Sequence, residues 1–259
     1  MATKVISFSG KGGVGKSTLI ILLLKYLLEI QKYKNILLID ADPDANIGDM
    51  LGKKIEYRQT VGGKMAVLKN RIQNMSISPD VPKNQIIESE VFDALIETDQ
   101  FDILEMGRGE GSGCYCSVNN ALKSIIDVLA KNYDIVLIDA PAGLEFFSRK
   151  TGREVTDLVI VTDGSKMGIE TLERIIEVSK EVELKFKNIW ILGNKFPLDL
   201  KELIVKKMEK LKEKNVQLLG VLPIDEEISR INLIGQNLLE MSNNNNLYVI
   251  AKKLYQKIV

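Results

Sequence analysis

Short apolar runs alternate along the chain with longer segments that have helical periodicity. The short runs predict buried strands, and apolar positions spaced three and four residues apart predict helices. The predicted strands cover Val5–Phe8, Ile36–Ile39, Ile103–Met106, Ile135–Ile138, Asp157–Val161, Asn188–Leu192 and Val216–Val221. The predicted helices cover Lys16–Ile30, Met167–Glu183, Leu200–Lys214 and Asn246–Ile258. This alternation is typical of an α/β fold with a doubly wound, mostly parallel sheet, for which we expect seven or eight strands.

The segment 53–100 has much weaker periodicity than the rest of the chain. Gly62-Gly63, Ser78-Pro79 and Val81-Pro82 interrupt it, so we expect an irregular insertion of short helices and loops. Elsewhere no linker rich in Pro, Gly and Ser divides the 259 residues. A single domain over residues 1–259 is therefore expected.

The charge balance and the apolar stretches limit the classes of partner. Lys and Arg together number 35, as do Asp and Glu, so no global field favours nucleic acid or an anionic membrane. The apolar stretch Leu19–Leu24 ends at Lys25, far short of the roughly 20 residues that span a bilayer. The first residues lead directly into a predicted strand instead of a signal peptide, which favours a cytoplasmic location.

The chain contains no histidine. This removes the commonest metal ligand and the commonest general acid or base. A transition-metal site would need sulfur, carboxylate, backbone or water ligands. Catalysis would depend on carboxylates, lysines, backbone amides and a bound cation.

The segment Gly10–Ser17 fits the pattern of a phosphate-binding loop, Gly, four residues, Gly-Lys-Ser, between a predicted strand and a predicted helix. Its glycines let backbone N–H groups point at phosphates, Lys16 supplies a charge, and the Ser17 hydroxyl can bind Mg²⁺. We expect ATP or ADP with Mg²⁺ here. The expected nucleotide-binding residues of the loop are Gly10, Lys11, Gly12, Gly13, Val14, Gly15, Lys16, Ser17 and Thr18.

Acidic residues follow two of the predicted strands. Asp40, Asp42 and Asp44 come after the second strand, and Asp139 ends the apolar strand that begins near Ile135. Carboxylates beside a triphosphate loop suit Mg²⁺ binding through water and the orientation of an attacking water, although Asp44 is better explained as a turn cap. The predicted magnesium residues are Ser17, Asp40, Asp42 and Asp139.

The chain has two cysteines, Cys114 and Cys116, separated by one residue and flanked by Gly111 and Gly113. Closely spaced thiols in a reducing compartment indicate metal or redox chemistry, and thiolates favour Zn²⁺, Ni²⁺, Cu⁺ or iron–sulfur clusters. A structural site normally needs four donors, so the simplest complete site pairs two copies of the chain across a two-fold axis. An ordinary reactive or buried cysteine pair is the alternative.

The loop from Gly10 to Thr18, with Lys11 after the first glycine, resembles the deviant Walker A group of MinD, ParA and the nitrogenase iron protein. The resemblance implies an ATP-sandwich homodimer in which Lys11 reaches the partner's nucleotide. It also implies a water-positioning role for Asp42, metal support by Asp40, and a second switch at residues 140–145. The implied catalytic residues are Lys11, Lys16 and Asp42. The implied nucleotide-binding residues outside the loop are Asn194, which reads adenine, Lys195, and Pro223 and Asp225, which line the base pocket.

The segment 110–122 resembles the cysteine segment of the CooC-type ATPases. The order of motifs along the chain, Walker A, Cys-x-Cys, Walker B and Gly-Asn-Lys, resembles theirs as well. These ATPases help to insert nickel into carbon monoxide dehydrogenase, and a sister group serves acetyl-CoA synthase. The resemblance implies that Cys114 and Cys116, within a metal-binding loop at residues 107–118, bind Ni²⁺ or Zn²⁺ at a dimer interface, and that a nickel enzyme is the client. ATP binding and hydrolysis would then close and reopen the metal site.

Two other functions share parts of this pattern. An electron-transfer ATPase like the nitrogenase iron protein would have a second cysteine after the Walker B strand, which this chain lacks. A MinD- or ParA-like positioning ATPase would use a membrane helix or a DNA patch. The helical spacing within 246–258 more often means packing on the sheet, and 200–214 is typical of a solvated helix. We therefore predict no nucleic-acid binding and no stable membrane association.

Overall fold

The strands and helices of the chain follow its apolar pattern closely. The computed structural model describes residues 3–42, 46–74, 83–107, 129–142, 155–181, 186–197, 199, 201–211 and 215–259. The strands are β1 (Lys4–Gly10), β2 (Ile36–Asp40), β3 (Asp102–Glu105), β4 (Ile135–Asp139), β5 (Asp157–Thr162), β6 (Asn188–Phe196) and β7 (Val216–Pro223). The helices are α1 (Lys16–Ile30), α2 (Ile47–Met50), α3 (Val61–Gln73), α4 (Lys83–Phe92), α5 (Lys166–Glu181), α6 (Lys201–Glu209), α7 (Glu226–Ile234) and α8 (Asn246–Tyr255). Short 3₁₀ turns cover Tyr57–Gln59, Ala130–Asn132 and Leu238–Glu240.

The described strands form one seven-stranded sheet in the order β3-β2-β4-β1-β5-β6-β7. Every neighbouring pair in this order is parallel. The central strands are aliphatic and buried on both faces, because helices cover both sides of a parallel sheet. The predicted doubly wound α/β fold is confirmed.

Two hydrophobic layers enclose the sheet. Alternation along β1 sends Val5 into one layer and Ile6 and Phe8 into the other. The first layer includes apolar side chains of α3, α4, α5 and α6, and the second includes those of α1, α7 and α8. All seven strands end on one rim, and ligands bind at that rim in sheets of this kind.

The last helix, α8, lies against α1. The Tyr255 hydroxyl donates a hydrogen bond of 2.7 Å to the Leu19 carbonyl, and the Tyr248 hydroxyl donates one of 2.7 Å to Glu29. Leu247, Tyr248, Ala251 and Tyr255 are buried, so the apolar face of α8 belongs to the core, as its spacing predicts. Across the described ranges, no helix has the length and apolarity needed to cross a membrane.

The segment 53–100 corrects a prediction. The expected break at Gly62-Gly63 is wrong, because both glycines lie within α3, which runs for 13 residues and packs against α4. A Cβ at Gly63 would lie 2.0 Å from the Tyr57 carbonyl oxygen, so this glycine permits close packing instead of ending the helix. The segments 78–79 and 81–82 lie outside the described residues.

The boundaries of other elements also differ from the predictions. Helix α7 is absent from them altogether, and α8 ends at Tyr255, three residues before the predicted Ile258. Strands β6 and β7 extend beyond their predicted ends to Phe196 and Pro223, which brings polar residues at these ends to the ligand rim.

Candidate nucleotide-binding site

The loop between β1 and α1 has the backbone that phosphate binding requires. Gly10 has a φ of +145°, and a Cβ there would lie 2.1 Å from the Val161 carbonyl oxygen of the neighbouring strand. Gly15, just before α1, has a φ of +94°, a conformation that residues with a Cβ rarely adopt. The sequence at these positions therefore fixes a tight turn that leads into the N-terminus of α1, where backbone N–H groups attract anions.

Ser17 and Asp139 meet beneath this loop. The Ser17 hydroxyl donates a hydrogen bond of 2.5 Å to Asp139 Oδ2. Asp139 Oδ1 is also buried, and among the described residues it has no hydrogen-bond partner. Burial raises the pKa of Asp139 to about 6, while the Ser17 hydrogen bond and the charge of Lys16 act in the opposite direction. A hydroxyl beside an unsatisfied buried carboxylate oxygen fits a divalent cation such as Mg²⁺.

Asp40 lies beside Asp139 because β2 and β4 pair in register at these two residues. Its Oδ2 atom accepts hydrogen bonds from the backbone N–H groups of Asn46 at 2.9 Å and Ile47 at 3.0 Å, and its Oδ1 atom accepts one from Asp42 at 3.1 Å. Burial, and then the charge of Asp139, raise the pKa of Asp40 well above its ordinary value. Asp40 thus fixes the backbone around Asp42 and the start of α2.

Asp42 is half-buried at the rim, and its charge raises the pKa of Asp139. The hydrogen bond of 3.1 Å from its backbone N–H group to Asp40 places Asp42 near the other predicted magnesium residues. Asp44 lies outside the described residues. The structure therefore brings Ser17, Asp40, Asp42 and Asp139 into one region.

Glu105 is a site residue that the motifs did not reveal. It ends β3 in register with Asp40, and its buried carboxylate accepts a hydrogen bond of 2.7 Å from the Gly48 N–H group. Burial raises the pKa of Glu105. Two adjacent strands thus hold the first backbone N–H groups of α2 with carboxylates. The sequence feature that could have identified Glu105 is its place as an acidic residue at the end of an apolar strand, like Asp40 and Asp139.

A cavity of about 400 Å³ opens beside the loop, between α1 and α7. It is lined by predicted residues and by residues of α7 that sequence reasoning missed. The predicted residues are Gly15, Thr18, Asn194, Lys195, Pro223 and Asp225, and the missed residues include Ile228, Ser229 and Asn232. The Asn232 amide donates a hydrogen bond of 3.3 Å to the Thr18 hydroxyl. The position and size of the cavity suit the base and ribose of a nucleotide.

Asn194 and Lys195 bond to the loop itself. The Asn194 side-chain N–H donates to the Val14 carbonyl at 2.8 Å, and the Lys195 ammonium donates to the Gly13 carbonyl at 2.8 Å. Asn194 is 5% exposed. Both side chains are predicted to bind the nucleotide. In the structure they also hold the backbone of the phosphate loop.

Asp225 has a structural role in addition to its place in the cavity wall. Its carboxylate accepts a hydrogen bond of 2.9 Å from the Ile228 N–H group and so begins α7. It also accepts a hydrogen bond of 3.2 Å from the Asn245 side chain, while Asn245 itself caps α8. The N-termini of two helices are joined at this point.

The structure describes one of the three residues predicted for the dimer interface and the metal site. Lys11 is half-buried, and its side chain makes no hydrogen bond or ion pair with another described residue. Cys114 and Cys116 lie outside the described residues. Within the part of the chain that the structure describes, no group of three or more acidic or thiol side chains could hold a metal ion.

A parallel sheet with a glycine loop before α1, a Ser17–Asp139 pair and a base-sized cavity defines a P-loop, ATP-binding protein. The family model described as AAA domain matches residues 3–191, so the chain belongs to the AAA-domain family. An uncharacterised ATP-binding protein of Methanocaldococcus jannaschii is 42% identical over 255 residues, which cover 98% of each chain.

Two further similarities extend this result. The carbon monoxide dehydrogenase accessory protein CooC of Rhodospirillum rubrum is 29% identical over 256 residues, covering 92% of this chain and 90% of CooC. The septum site-determining protein MinD of Pyrococcus horikoshii, solved with Mg-ADP, superposes with a TM-score of 0.66 over 99% of this chain and 96% of MinD. The two sequences are 22% identical, so this likeness concerns the fold alone.

Proposed function

We propose that this protein is an ATP-hydrolysing metallochaperone. Two copies form a homodimer in which Cys114 and Cys116 of each bind Ni²⁺ or Zn²⁺ as cargo. ATP binding and hydrolysis control this shared site. The metal passes to a nickel enzyme, carbon monoxide dehydrogenase or acetyl-CoA synthase.

The main structural support for coupling between the nucleotide site and the metal site is the path of the backbone after β3. The Met106 N–H group donates a hydrogen bond of 2.8 Å to the Asp40 carbonyl, and Glu105 holds α2. Cys114 follows Met106 by eight positions in the sequence. Met106 lies at the same rim as the predicted magnesium residues, and only seven residues separate it from Cys114 in the sequence. We therefore infer that a change around Asp40 can be passed along the chain to the thiols.

The similarity to CooC supports the choice of cargo. It covers 92% of this chain and 90% of CooC, although its identity of 29% leaves the metal and the client as parts of the proposal. Thiolates bind Ni²⁺ and Zn²⁺ well, and two pairs across a two-fold axis supply the four donors of a closed site.

The residues have separate roles in the proposed hydrolysis. The N–H groups of the loop and Lys16 bind the phosphates, and Asp42 orients the attacking water. Lys11 acts in the partner's site, which is consistent with the absence of a hydrogen bond or ion pair between its side chain and the described residues of its own chain. Ser17 and Asp139 would hold Mg²⁺, which neutralises phosphate charge when it is bound.

Metal titration of the purified protein tests this function. Wild type, Cys114→Ser and Cys116→Ser are titrated anaerobically with Ni²⁺ and with Zn²⁺, each without nucleotide, with ADP and with a non-hydrolysable ATP analogue. Ser117→Ala is the matched control, because it changes the same segment and keeps both thiols. We expect one metal per two chains, lost in both cysteine variants, kept in the control and altered in affinity by the analogue.

Two results would contradict the proposal. One is a metal centre of undiminished affinity in either cysteine variant. The other is a nucleotide analogue that changes neither metal affinity nor the oligomeric state measured by light scattering. Dimerisation with the analogue at an unchanged metal affinity would instead indicate a positioning ATPase without metal coupling.

A further inference from the structure

Lys195 has an unusual backbone for a residue with a long side chain. Its φ is +59°, and it is one of two non-glycine residues with a positive φ among those described. The pairing of β6 with β7 shifts its register between Gly193 and Phe196, so the irregularity includes Lys195. A positive φ in a residue with a side chain costs energy, and such residues are found mostly where the surrounding structure holds them in place, often at functional sites.

The irregular backbone directs the Lys195 side chain to the phosphate loop. Although the residue is largely exposed, its ammonium group reaches the Gly13 carbonyl at 2.8 Å, 182 positions away in sequence. The preceding residue, Asn194, donates to the next carbonyl, that of Val14. A Cβ at Gly15 would lie 2.5 Å from the Asn194 amide nitrogen, so this contact is close. Two consecutive side chains therefore hold two consecutive carbonyls.

These two carbonyls belong to the peptide groups whose N–H groups can bind phosphate. The Gly13 carbonyl shares its peptide group with the Val14 N–H, and the Val14 carbonyl shares its group with the Gly15 N–H. In a trans peptide the C=O and N–H bonds point in opposite directions, so a donor outside the loop turns the N–H group inward. A hydrogen bond to the carbonyl also polarises the N–H group, and a charged donor does so more strongly.

We infer that Lys195 is a positioning residue that holds the phosphate loop from its outer side and thereby strengthens its grip on the β- and γ-phosphates. It acts through the peptide group between Gly13 and Val14 and not through the base. The inference rests on the ATP-binding and hydrolysing part of the proposed function, and it is independent of the cysteines.

Three variants separate this role from a purely structural one. Lys195→Gly removes the ammonium group and relieves the backbone strain, Lys195→Met keeps the aliphatic stem, and Lys195→Arg keeps a charged donor. We expect the melting temperature of Lys195→Gly to equal or exceed that of wild type, because glycine adopts a positive φ readily. A residue needed only for folding would instead lower it.

The nucleotides report the site of action. We expect Lys195→Gly and Lys195→Met to bind ADP about five- to tenfold more weakly than wild type, which is the size of effect expected for one lost hydrogen bond. Their affinity for AMP, which lacks the β-phosphate, should change less than twofold. Lys195→Arg should recover most of the ADP affinity, and the KM for ATP should rise more than kcat falls.

Equal losses for ADP and AMP would overturn the inference in favour of a base contact. Wild-type affinity for ADP in both Lys195→Gly and Lys195→Met would overturn it outright. A wild-type protein that fails to bind or hydrolyse ATP would refute the proposed function instead, so the two failures are distinguishable. The Met and Arg pair keeps the test decisive if the glycine variant folds poorly.

Discussion

The Ser17 hydroxyl and the Asp139 carboxylate form a hydrogen bond of 2.5 Å that joins the start of α1 to the end of β4. This bond satisfies one oxygen of Asp139, whereas the other is buried and has no partner among the described residues. Without a cation, an ionised carboxylate in this position destabilises the fold, since its desolvation is incompletely compensated.

Replacing Asp139 by Asn should therefore stabilise the protein when divalent cations are chelated. The folded-state pKa of about 6 lies above the ordinary value of 3.8, so the cost of ionisation grows as the pH rises from about 4 to 6 and is complete above that range. The difference of about two pKa units corresponds to an upper limit of about 3 kcal/mol. Urea unfolding in chelator at pH 4 and pH 7.5 measures the effect.

The same variant should lose the stabilisation that Mg-ADP gives to wild type. The exposed Asp99→Asn is the matched control, and it should follow wild type in both respects. An Asp139→Asn protein that is less stable than wild type in chelator at pH 7.5 would show that the unpaired oxygen carries no cost.

The two lysines of the loop should separate binding from hydrolysis. Lys16→Ala removes the buried cation beside Asp139 and should weaken ADP binding at least about tenfold. Lys11→Ala should keep ADP affinity within about threefold but lower kcat by about 10³, if Lys11 acts in the partner's site as an arginine finger does. Nucleotide titration and phosphate release measure both.

Mixing the two variants tests the role of Lys11 more directly. A dimer of Lys11→Ala with Lys16→Ala contains one site that keeps its own Lys16 and receives Lys11 from the partner, so mixing should restore part of the activity. Lys53→Ala, an exposed change of the same charge, is the control for each assay. Hydrolysis by Lys11→Ala alone at the wild-type rate would contradict the role in trans.

The parts of this fold that sequence reasoning predicted depend on local patterns. The strands are fully buried aliphatic runs, and the phosphate loop has a fixed spacing between glycines, lysine and serine. Helix α7 escaped prediction because it is only nine residues long. Ile228, Ile231 and Ile234 recur at helical spacing, but three apolar positions in so short a segment are a weak signal.

The side-chain contacts of the site were beyond prediction for a different reason. Glu105 binds the backbone of Gly48, 57 positions away, and Lys195 binds Gly13, 182 positions away. Contacts between a side chain and a distant backbone group leave no periodic signal in sequence. The predicted residues Asn194 and Asp225 likewise have structural partners that only the folded chain reveals.

Gly63→Ala should destabilise the protein even though alanine favours helices by about 1 kcal/mol over glycine. The added Cβ would meet the Tyr57 carbonyl oxygen at 2.0 Å, and backbone atoms there cannot turn aside as a side chain can. We expect a loss of about 2–4 kcal/mol in the free energy of unfolding. Lys69→Ala, on the exposed surface of α3, should stay within about 0.5 kcal/mol of wild type in the same denaturant titration.

Asp225 and Asn245 should behave as one unit, because their hydrogen bond joins the N-termini of α7 and α8. Each alanine variant should lose about 1–2 kcal/mol, as is usual for N-cap residues. The double variant should lose less than the sum, by at least about 0.5 kcal/mol. Asp225→Asn keeps an acceptor for the Ile228 N–H group and should lose less than Asp225→Ala. Strict additivity in the double-mutant cycle would show that the two caps act independently.

The enclosure of α1 determines which parts of the molecule can respond to the nucleotide. Most of this helix is buried, with α8 against one side and the sheet against another, so its amide hydrogens should exchange with solvent more slowly than those of the other described helices. Helix α2, only four residues long, should exchange fastest and change most between ADP and ATP. Hydrolysis would then leave the phosphate loop and α1 in place and would move α2.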